Sequence, residues 1–286
     1  MIVYLNGEFL PLKQAQISVL DRGFLFADGV YEVIPVYKGR LFRLNEHLQR
    51  LTNSLHHIQL PNPLTKTQWI EILEKIISQH ADNDQAVYLQ VTRGTAKREH
   101  QFPLAAQATV FVMSEVTELG LASAGVKAIS CTDMRWQRCD IKSIALLGNV
   151  LSRQHAVAAG ATEAILIRDG QVTEGAASNV FIVAEGIVKT PPQGPFILSG
   201  ITRGLILELL QQAQLPYQET PISLTELRQA EEIWLTSSTR EMLPVILLDE
   251  HPVGSGAPGP IWAQTWQLYQ NYKHNLAYES LQKRVI

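Results

Sequence analysis

Two residues in this sequence, Lys142 and Glu174, have types and neighbours that could do covalent chemistry. Lys142 lies in Arg138-Cys139-Asp140-Ile141-Lys142-Ser143, directly ahead of the apolar stretch Ile144-Ala145-Leu146-Leu147. Desolvation in such a setting disfavours an ammonium and leaves a nucleophilic amine. Taken alone, the same lysine also reads as the solvated end of a helix. Glu174 lies in Val172-Thr173-Glu174-Gly175-Ala176-Ala177-Ser178-Asn179, a carboxylate at a bend between two strand-like runs. A lysine that can form a Schiff base and a carboxylate that can hold a pyridinium nitrogen are the two protein groups that pyridoxal phosphate chemistry needs most.

Such a cofactor also needs donors for its phosphate. Ser199-Gly200-Ile201-Thr202-Arg203-Gly204 precedes an apolar helix, so the N–H groups of Ile201 and Thr202 point out of an N-terminus that carries roughly half a positive charge. The run Thr236-Ser237-Ser238-Thr239 adds hydroxyls and amides at the end of a strand. Arg50 sits one position before Leu51, where it either reaches inward from a helix or stays a surface arginine. A second cluster, Arg93-Gly94-Thr95-Ala96-Lys97-Arg98-Glu99-His100, leaves a strand through a glycine. If that end is extended, Arg98 and His100 point the same way. A guanidinium beside an imidazole suits a small carboxylate; the alternative is a basic surface loop.

The elements that must position these groups are mixed α and β. Strands are expected at 30–37, 86–92 and 108–116. Leu44, Leu48, Leu51, Leu55 and Ile58 mark one face of a helix entered through Asn45, and Trp69, Ile72, Leu73, Ile76 and Ile77 mark another. A linker is expected over 117–125. A strand near 126–132 leads past Lys142 to a helix over 144–159 that stops at Gly160. Hairpins follow at Asp169-Gly170 and Glu185-Gly186. The remainder reads as a helix at 201–214, a short helix at 225–230, strands at 232–235 and 245–248, and a closing helix at 261–272. The rhythm is not βαβ, which argues against a doubly wound nucleotide fold.

Composition narrows the classes further. With 286 residues, 46% apolar, the chain can bury one large core or two ordinary ones, and a net charge of −3 gives no footprint for nucleic acid or an anionic membrane. No apolar run approaches the ~20 residues of a membrane span, and the N-terminus lacks the basic start and apolar core of a signal peptide. Cys131 and Cys139 lack metal-ligand spacing, and two thiols in so long a chain suggest a reducing cytoplasm. Gly254-Ser255-Gly256-Ala257-Pro258-Gly259 satisfies a dinucleotide pattern, but without a βαβ unit it reads as a loop before the last helix.

Read together, the motifs resemble the class IV aminotransferases, and within them the branch that acts on D-amino acids. They are Asp28-Gly29-Val30-Tyr31-Glu32-Val33, Thr92-Arg93-Gly94-Thr95-Ala96 through His100-Gln101-Phe102-Pro103, the Lys142 segment, Thr173-Glu174-Gly175 with Ser178-Asn179, Gly200-Ile201-Thr202-Arg203 and Thr236-Ser237-Ser238-Thr239. The resemblance covers nearly the whole chain, and the order and spacing of the motifs carry it. It implies a mixed α/β (α+β) fold of two domains: a smaller N-terminal α/β domain over 1–116 and, after the linker, a larger cofactor-binding domain over 126–286 with a barrel-like sheet.

The resemblance also implies roles. Lys142 would bond pyridoxal 5'-phosphate and shuttle the proton, and Glu174 would pair with the pyridinium nitrogen. Arg50, Ile201, Thr202, Ser237 and Ser238 would hold the phosphate, and Leu198 would pack on the ring. Tyr31, Arg98 and His100 would trap the substrate α-carboxylate, and Glu32 and Arg135 would stand behind the residues that line the site. In relatives Arg98 and His100 reach the site from the neighbouring subunit, which implies a homodimer with the site at its interface. The activity implied is ping-pong transamination between D-amino acids, such as D-alanine, and 2-oxo acids, such as 2-oxoglutarate and pyruvate. The alternatives within the family are branched-chain L-amino acid or (R)-amine aminotransferases and aminodeoxychorismate lyase. Ala176 and Ala177 depart from the pattern, standing where the D-amino-acid branch tends to have serines.

Overall fold

The computed structural model describes residues 1–81, 83–105, 107–120 and 124–282. These form two compact units, Met1–Leu119 with Ile141–Leu146, and Gly120–Asp140 with Leu147–Ile286. The sequence reading does not anticipate that the Lys142 segment belongs to the first unit. Of the linker expected over 117–125, residues 121–123 lie outside the described residues.

The first unit holds β1 (Ile2–Leu5), β2 (Glu8–Pro11), α1 (Arg22–Phe26), β3 (Gly29–Tyr37), β4 (Arg40–Leu41), α2 (Leu44–His57), α3 (Lys66–Ile77), β5 (Gln85–Thr92) and β6 (Thr109–Val116). The strands make one antiparallel sheet in the order β2-β1-β6-β5-β3-β4. Strand alternation sends Val30, Ile34 and Val36 of β3 and Val87, Leu89 and Val91 of β5 into one core. There they meet Leu48, Leu51 and Leu55 of α2 and Trp69, Leu73 and Ile76 of α3. Each such side chain contributes roughly 1.5–3 kcal/mol when fully buried. Thr65 and Gln68 close a reciprocal capping box on α3. Helix α2 starts instead after Arg43 in the left-handed region, so the entry expected at Asn45 moves two residues earlier.

The second unit continues with β7 (Val126–Thr132), α4 (Leu147–Ala158), β8 (Glu163–Arg168), β9 (Gln171–Gly175), β10 (Asn179–Ala184), β11 (Ile187–Thr190), α5 (Ile201–Gln212), β12 (Tyr217–Glu219), α6 (Leu224–Arg228), β13 (Glu232–Ser237), β14 (Glu241–Leu248), β15 (His251–Pro252) and α7 (Pro260–Gln282). Its sheet runs β12-β11-β10-β13-β14-β7-β8-β9, with β15 on β14. Strand β9 ends this path and β10 is third from the other end, yet only Ala176–Ser178 separate them. The sheet therefore curls into a half-barrel. Both two-residue turns expected from the sequence form, with positive φ at Asp169 and Gly170 and at Glu185 and Gly186.

Several helix boundaries correct the sequence reading, among them that of α6, which spans Leu224–Arg228 rather than 225–230. Helix α5 stops at Gln212 rather than 214, and α7 runs from Pro260 to Gln282 rather than from 261 to 272. Helix α4 begins at Leu147 rather than 144, because Ile144 is drawn to β3, its N–H donating to the Gly29 carbonyl at 3.1 Å. The glycine-rich stretch 254–259 is a loop. The N-terminus of α7 behind it is filled by Glu232, whose carboxylate accepts from the N–H groups of Ile261 (2.9 Å) and Trp262 (2.8 Å). A dinucleotide phosphate has no place there. None of the described helices is long and apolar enough to cross a membrane.

Candidate active site

In the first unit the site begins with a carboxylate in a row of hydrophobic residues. Strand alternation puts Glu32 on the inward face of β3 between Val30 and Ile34, where it is fully buried. An unpaired charge there would cost several kcal/mol. Helix α2 supplies the partners: Arg50 donates from Nε and Nη2 to Glu32 at 2.7 Å each, and His47 Nδ1 lies 2.7 Å from Glu32 Oε2. Burial pushes the Glu32 carboxyl up, but the Arg50 charge and the hydrogen bonds from Arg50 and His47 outweigh it and bring its pKa down to about 2. His47 is lowered below the ordinary histidine range by burial, aided by the charges of Arg50 and Lys142 and opposed by Glu32.

Lys142 is placed by the same two elements. The Lys142 carbonyl accepts from the N–H of Tyr31 (3.0 Å), Ser143 bridges to Val30, and the Lys142 N–H donates to Ser54 Oγ on α2 at 3.2 Å. Its segment thus runs along the start of β3, and its Nζ sits 4.2 Å from the centroid of the Tyr31 ring. The sequence reading misses Ser54 and His47. The spacing of His47, Arg50 and Ser54 is the available signal, since it puts three polar groups beside the apolar stripe of α2.

Arg98 and His100 are brought together, but not by an extended strand. Both lie in an irregular segment and are exposed, and both pack on Phe26. The Arg98 guanidinium carbon lies 5.3 Å from the Phe26 centroid, and the His100 ring 5.5 Å centroid to centroid.

In the second unit Glu174, only 5% exposed, lies near the end of β9. Its Oε2 accepts from the Asn179 side chain (3.1 Å) and the Leu198 N–H (3.0 Å), and its Oε1 takes a short bond from Arg135 Nη1. Asn179 Nδ2 also donates to the Leu198 carbonyl at 2.9 Å, which fixes Leu198 beside the carboxylate. Arg135 is shared: its Nε and Nη2 go to Asp133 at 2.9 and 2.8 Å. Burial raises the Asp133 carboxyl, but Arg135 overrides this and holds it below the usual range. Cys139 is a packed thiol pushed up to about 11 by burial.

Helix α5 begins at Gly200 with no side-chain cap, unlike α7. A Cβ on Gly200 would stand 1.9 Å from Asn179 Oδ1, so only glycine lets this helix end approach the group that holds Glu174. Thr202 is buried and Ile201 half-buried at that end. Register pairs Asn179 with Thr236, which sets Ser237 and the turn residue Ser238 next along the same edge. An uncapped helix N-terminus and adjacent hydroxyls make a donor set for a phosphate, and a buried, positively clamped carboxylate is the acceptor a pyridinium N–H needs. These residues fit pyridoxal phosphate. Of the departures from the family pattern, Ala176 is packed among Ala156, Ala161, Ala164 and Leu166, while Ala177 is exposed.

Three comparisons bear on this arrangement. The D-alanine aminotransferase of Bacillus licheniformis is 41% identical over 273 residues, covering 95% of this chain and 96% of its own. The solved branched-chain amino acid aminotransferase of Escherichia coli superposes with a TM-score of 0.90 at 24% identity, covering 94% of this chain and 93% of its own. A second solved branched-chain enzyme, from T.th. and complexed with N-(5'-phosphopyridoxyl)-L-glutamate, gives 0.87 at 27% identity, with coverage of 94% and 92%. The family described as amino-transferase class IV matches residues 29–248, from the start of β3 to the end of β14. The stretch it spans holds every residue described above for the cofactor and for the carboxylate, and the chain belongs to the class IV aminotransferases.

Proposed function

We propose that the protein is a pyridoxal phosphate-dependent aminotransferase that exchanges the amino group of D-amino acids, D-alanine among them, with 2-oxo acids such as 2-oxoglutarate and pyruvate in a ping-pong cycle. The observation that carries the substrate class is the identity with D-alanine aminotransferases over nearly the whole of both chains. Bound through Lys142, the cofactor supplies an electron-withdrawing ring that stabilises the negative charge left when the substrate Cα proton departs. Lys142, displaced from the cofactor by the substrate amine, would take that proton on its freed Nζ and return it on the other side of the transfer. Glu174, clamped by Arg135, holds the proton on the pyridine nitrogen. Arg50, the α5 N-terminus at Ile201 and Thr202, and Ser237 with Ser238 hold the phosphate, and Leu198 packs on the ring. Tyr31, Arg98 and His100 bind the substrate carboxylate.

We infer a cytoplasmic homodimer, in which Arg98 and His100 serve the site of the partner subunit. Their exposure in this chain supports that assignment. So does an apolar stripe left to solvent on α4, where Leu147 is 72% exposed and Val150, Leu151 and Val157 follow on the same face. Met134 and Trp136 are exposed on either side of Arg135, against which Gly148 of α4 packs. Apolar surface of this extent marks an interaction site.

The test is the absorbance of the purified holoenzyme titrated with D-alanine and, separately, L-alanine. Loss of the long-wavelength cofactor band with the D enantiomer alone is expected. A response to the L enantiomer alone would move the protein to the branched-chain branch, which the fold match also accommodates. Turnover of (R)-1-phenylethylamine with inert D-alanine would point to the (R)-amine branch, and the lyase would bleach with neither alanine.

A further inference from the structure

The loop that presents Arg98 and His100 has no regular secondary structure between Arg93 and Phe102, and its only internal backbone bond among the described residues runs from the Glu99 N–H to the Lys97 carbonyl. What holds it is α1. Arg22, 3% exposed, donates from Nη1 to the carbonyls of Glu99 (2.6 Å) and Gln101 (3.3 Å), and from Nη2 to that of His100 (3.4 Å). Three successive carbonyls therefore converge on one planar fork, which fixes the side-chain directions between them.

The Arg22 Nε donates to Asp28 Oδ2 at 2.8 Å. Asp28 also takes Arg93, by Nε at 2.8 Å and Nη2 at 3.1 Å, and Arg93 stacks 3.7 Å over the Phe102 ring. One carboxylate thus ties both arginines that grip the loop, one on carbonyls 99–101 and one at its Phe102 end. Phe26, four residues after Arg22 on the same short helix, takes the Arg22, Arg98 and His100 groups on one ring. Helix α1 itself is fastened to the sheet. Asp21 caps it and accepts from Thr92 (2.8 Å) and Thr109 (2.6 Å), and a Cβ on Gly23 would stand 2.3 Å from Thr92 Cγ2.

We propose that Arg22, held by Asp28, is a positioning residue for substrate carboxylate binding: it sets the backbone that aims Arg98 and His100. This rests on the reading of Arg98 and His100 as the carboxylate-binding pair. The test is a double-mutant cycle on the holoenzyme with Arg22→Gln, Arg98→Ala and the double variant. KM and kcat for D-alanine are measured, with hydrogen exchange of residues 95–102. Arg98→Ala is expected to raise KM by roughly 10- to 100-fold, the effect of losing a charge-assisted contact. Arg22→Gln is expected to raise KM about 10-fold with kcat changed less than about threefold, to speed exchange of the loop, and to add less than about threefold in the Arg98→Ala background, where only His100 is left to be aimed.

Arg22→Lys keeps the charge beside Asp28 but cannot span three carbonyls, so it should fold and still raise KM. It decides the matter if Arg22→Gln does not fold. Multiplicative effects in the cycle, or a normal KM in both Arg22 variants, would overturn the proposal. A normal KM in Arg98→Ala would instead overturn the carboxylate pair, and this inference with it.

Discussion

Each unit buries an arginine against a glutamate, and the two pairs are built differently. Glu32 accepts from Arg50 on both oxygens and lies within hydrogen-bond distance of His47 as well. Arg135 gives most of its fork to Asp133, adds the Phe196 carbonyl, and aims a single nitrogen at Glu174. The first arrangement locks a strand to a helix. The second fixes the orientation of a carboxylate with three donors from three different places, one of them an arginine that it shares with Asp133. The same chemical ingredients therefore tie a strand to a helix in one unit and orient a carboxylate in the other, according to how the hydrogen bonds are divided.

That contrast can be broken by exchanging what each variant should lose. Glu32→Gln leaves Arg50 buried beside a neutral group and should cost about 3–5 kcal/mol of stability, read as a lower denaturant midpoint of the first unit. Turnover per folded molecule should fall far less. Glu174→Gln should do the reverse: kcat is expected to drop by about 10²–10³, as for loss of a preorganised electrostatic group, while Asp133 keeps Arg135 paired and the unfolding transition moves little. Equal stability losses in the two variants would erase the distinction.

The pH dependence sharpens it. Folded Glu32 has its pKa depressed to about 2, so its contribution is complete above the ordinary carboxylate range and drains away as pH falls from ~4.5 towards 2. Folded His47 is also depressed; below pH ~6.5 the unfolded chain takes up a proton that the folded one refuses, and stability falls with pH there too. In the second unit His155, His251 and His274 are exposed. Amide exchange measured at pH ~7.5 and ~5 should therefore show β3 and α2 losing protection before β9 and β10. The smallest effect concerns Ala177. Because it is exposed, Ala177→Ser should shift stability by less than about 0.5 kcal/mol, whereas Ala176→Ser would force a hydroxyl into an apolar nest.

Much of this is legible in the sequence because it depends on local period and turn chemistry. The apolar faces of α2 and α3, the two positive-φ hairpins, and the motifs around Lys142 and Glu174 all stand in short windows. What escapes depends on long-range pairing. A local reading extends helix α4 back to 144 because Ile144-Ala145-Leu146 has helical character, and nothing nearby announces that β3 claims the segment. The bend at Arg98 comes from Arg22, distant along the chain, so an extended end is the natural local reading. Arg135 sharing itself between Asp133 and Glu174 follows from the parallel pairing of β7 with β8, which brings Asp133 beside the β8–β9 hairpin and which no local pattern encodes.

The excursion of Ile141–Leu146 has a consequence for how the chain is made. Translation delivers Met1–Leu119 first, but that stretch still lacks Ile141 in its core and the partner that covers the start of β3. At ~5–20 residues per second, the missing piece emerges on the order of seconds later. The unit that carries the lysine is thus completed by the lysine's own segment, after part of the second unit has already been synthesised. A gene cut at residue 119 would yield a fragment without Lys142 and the segment that carries it, and the two units cannot be traded between proteins as cassettes.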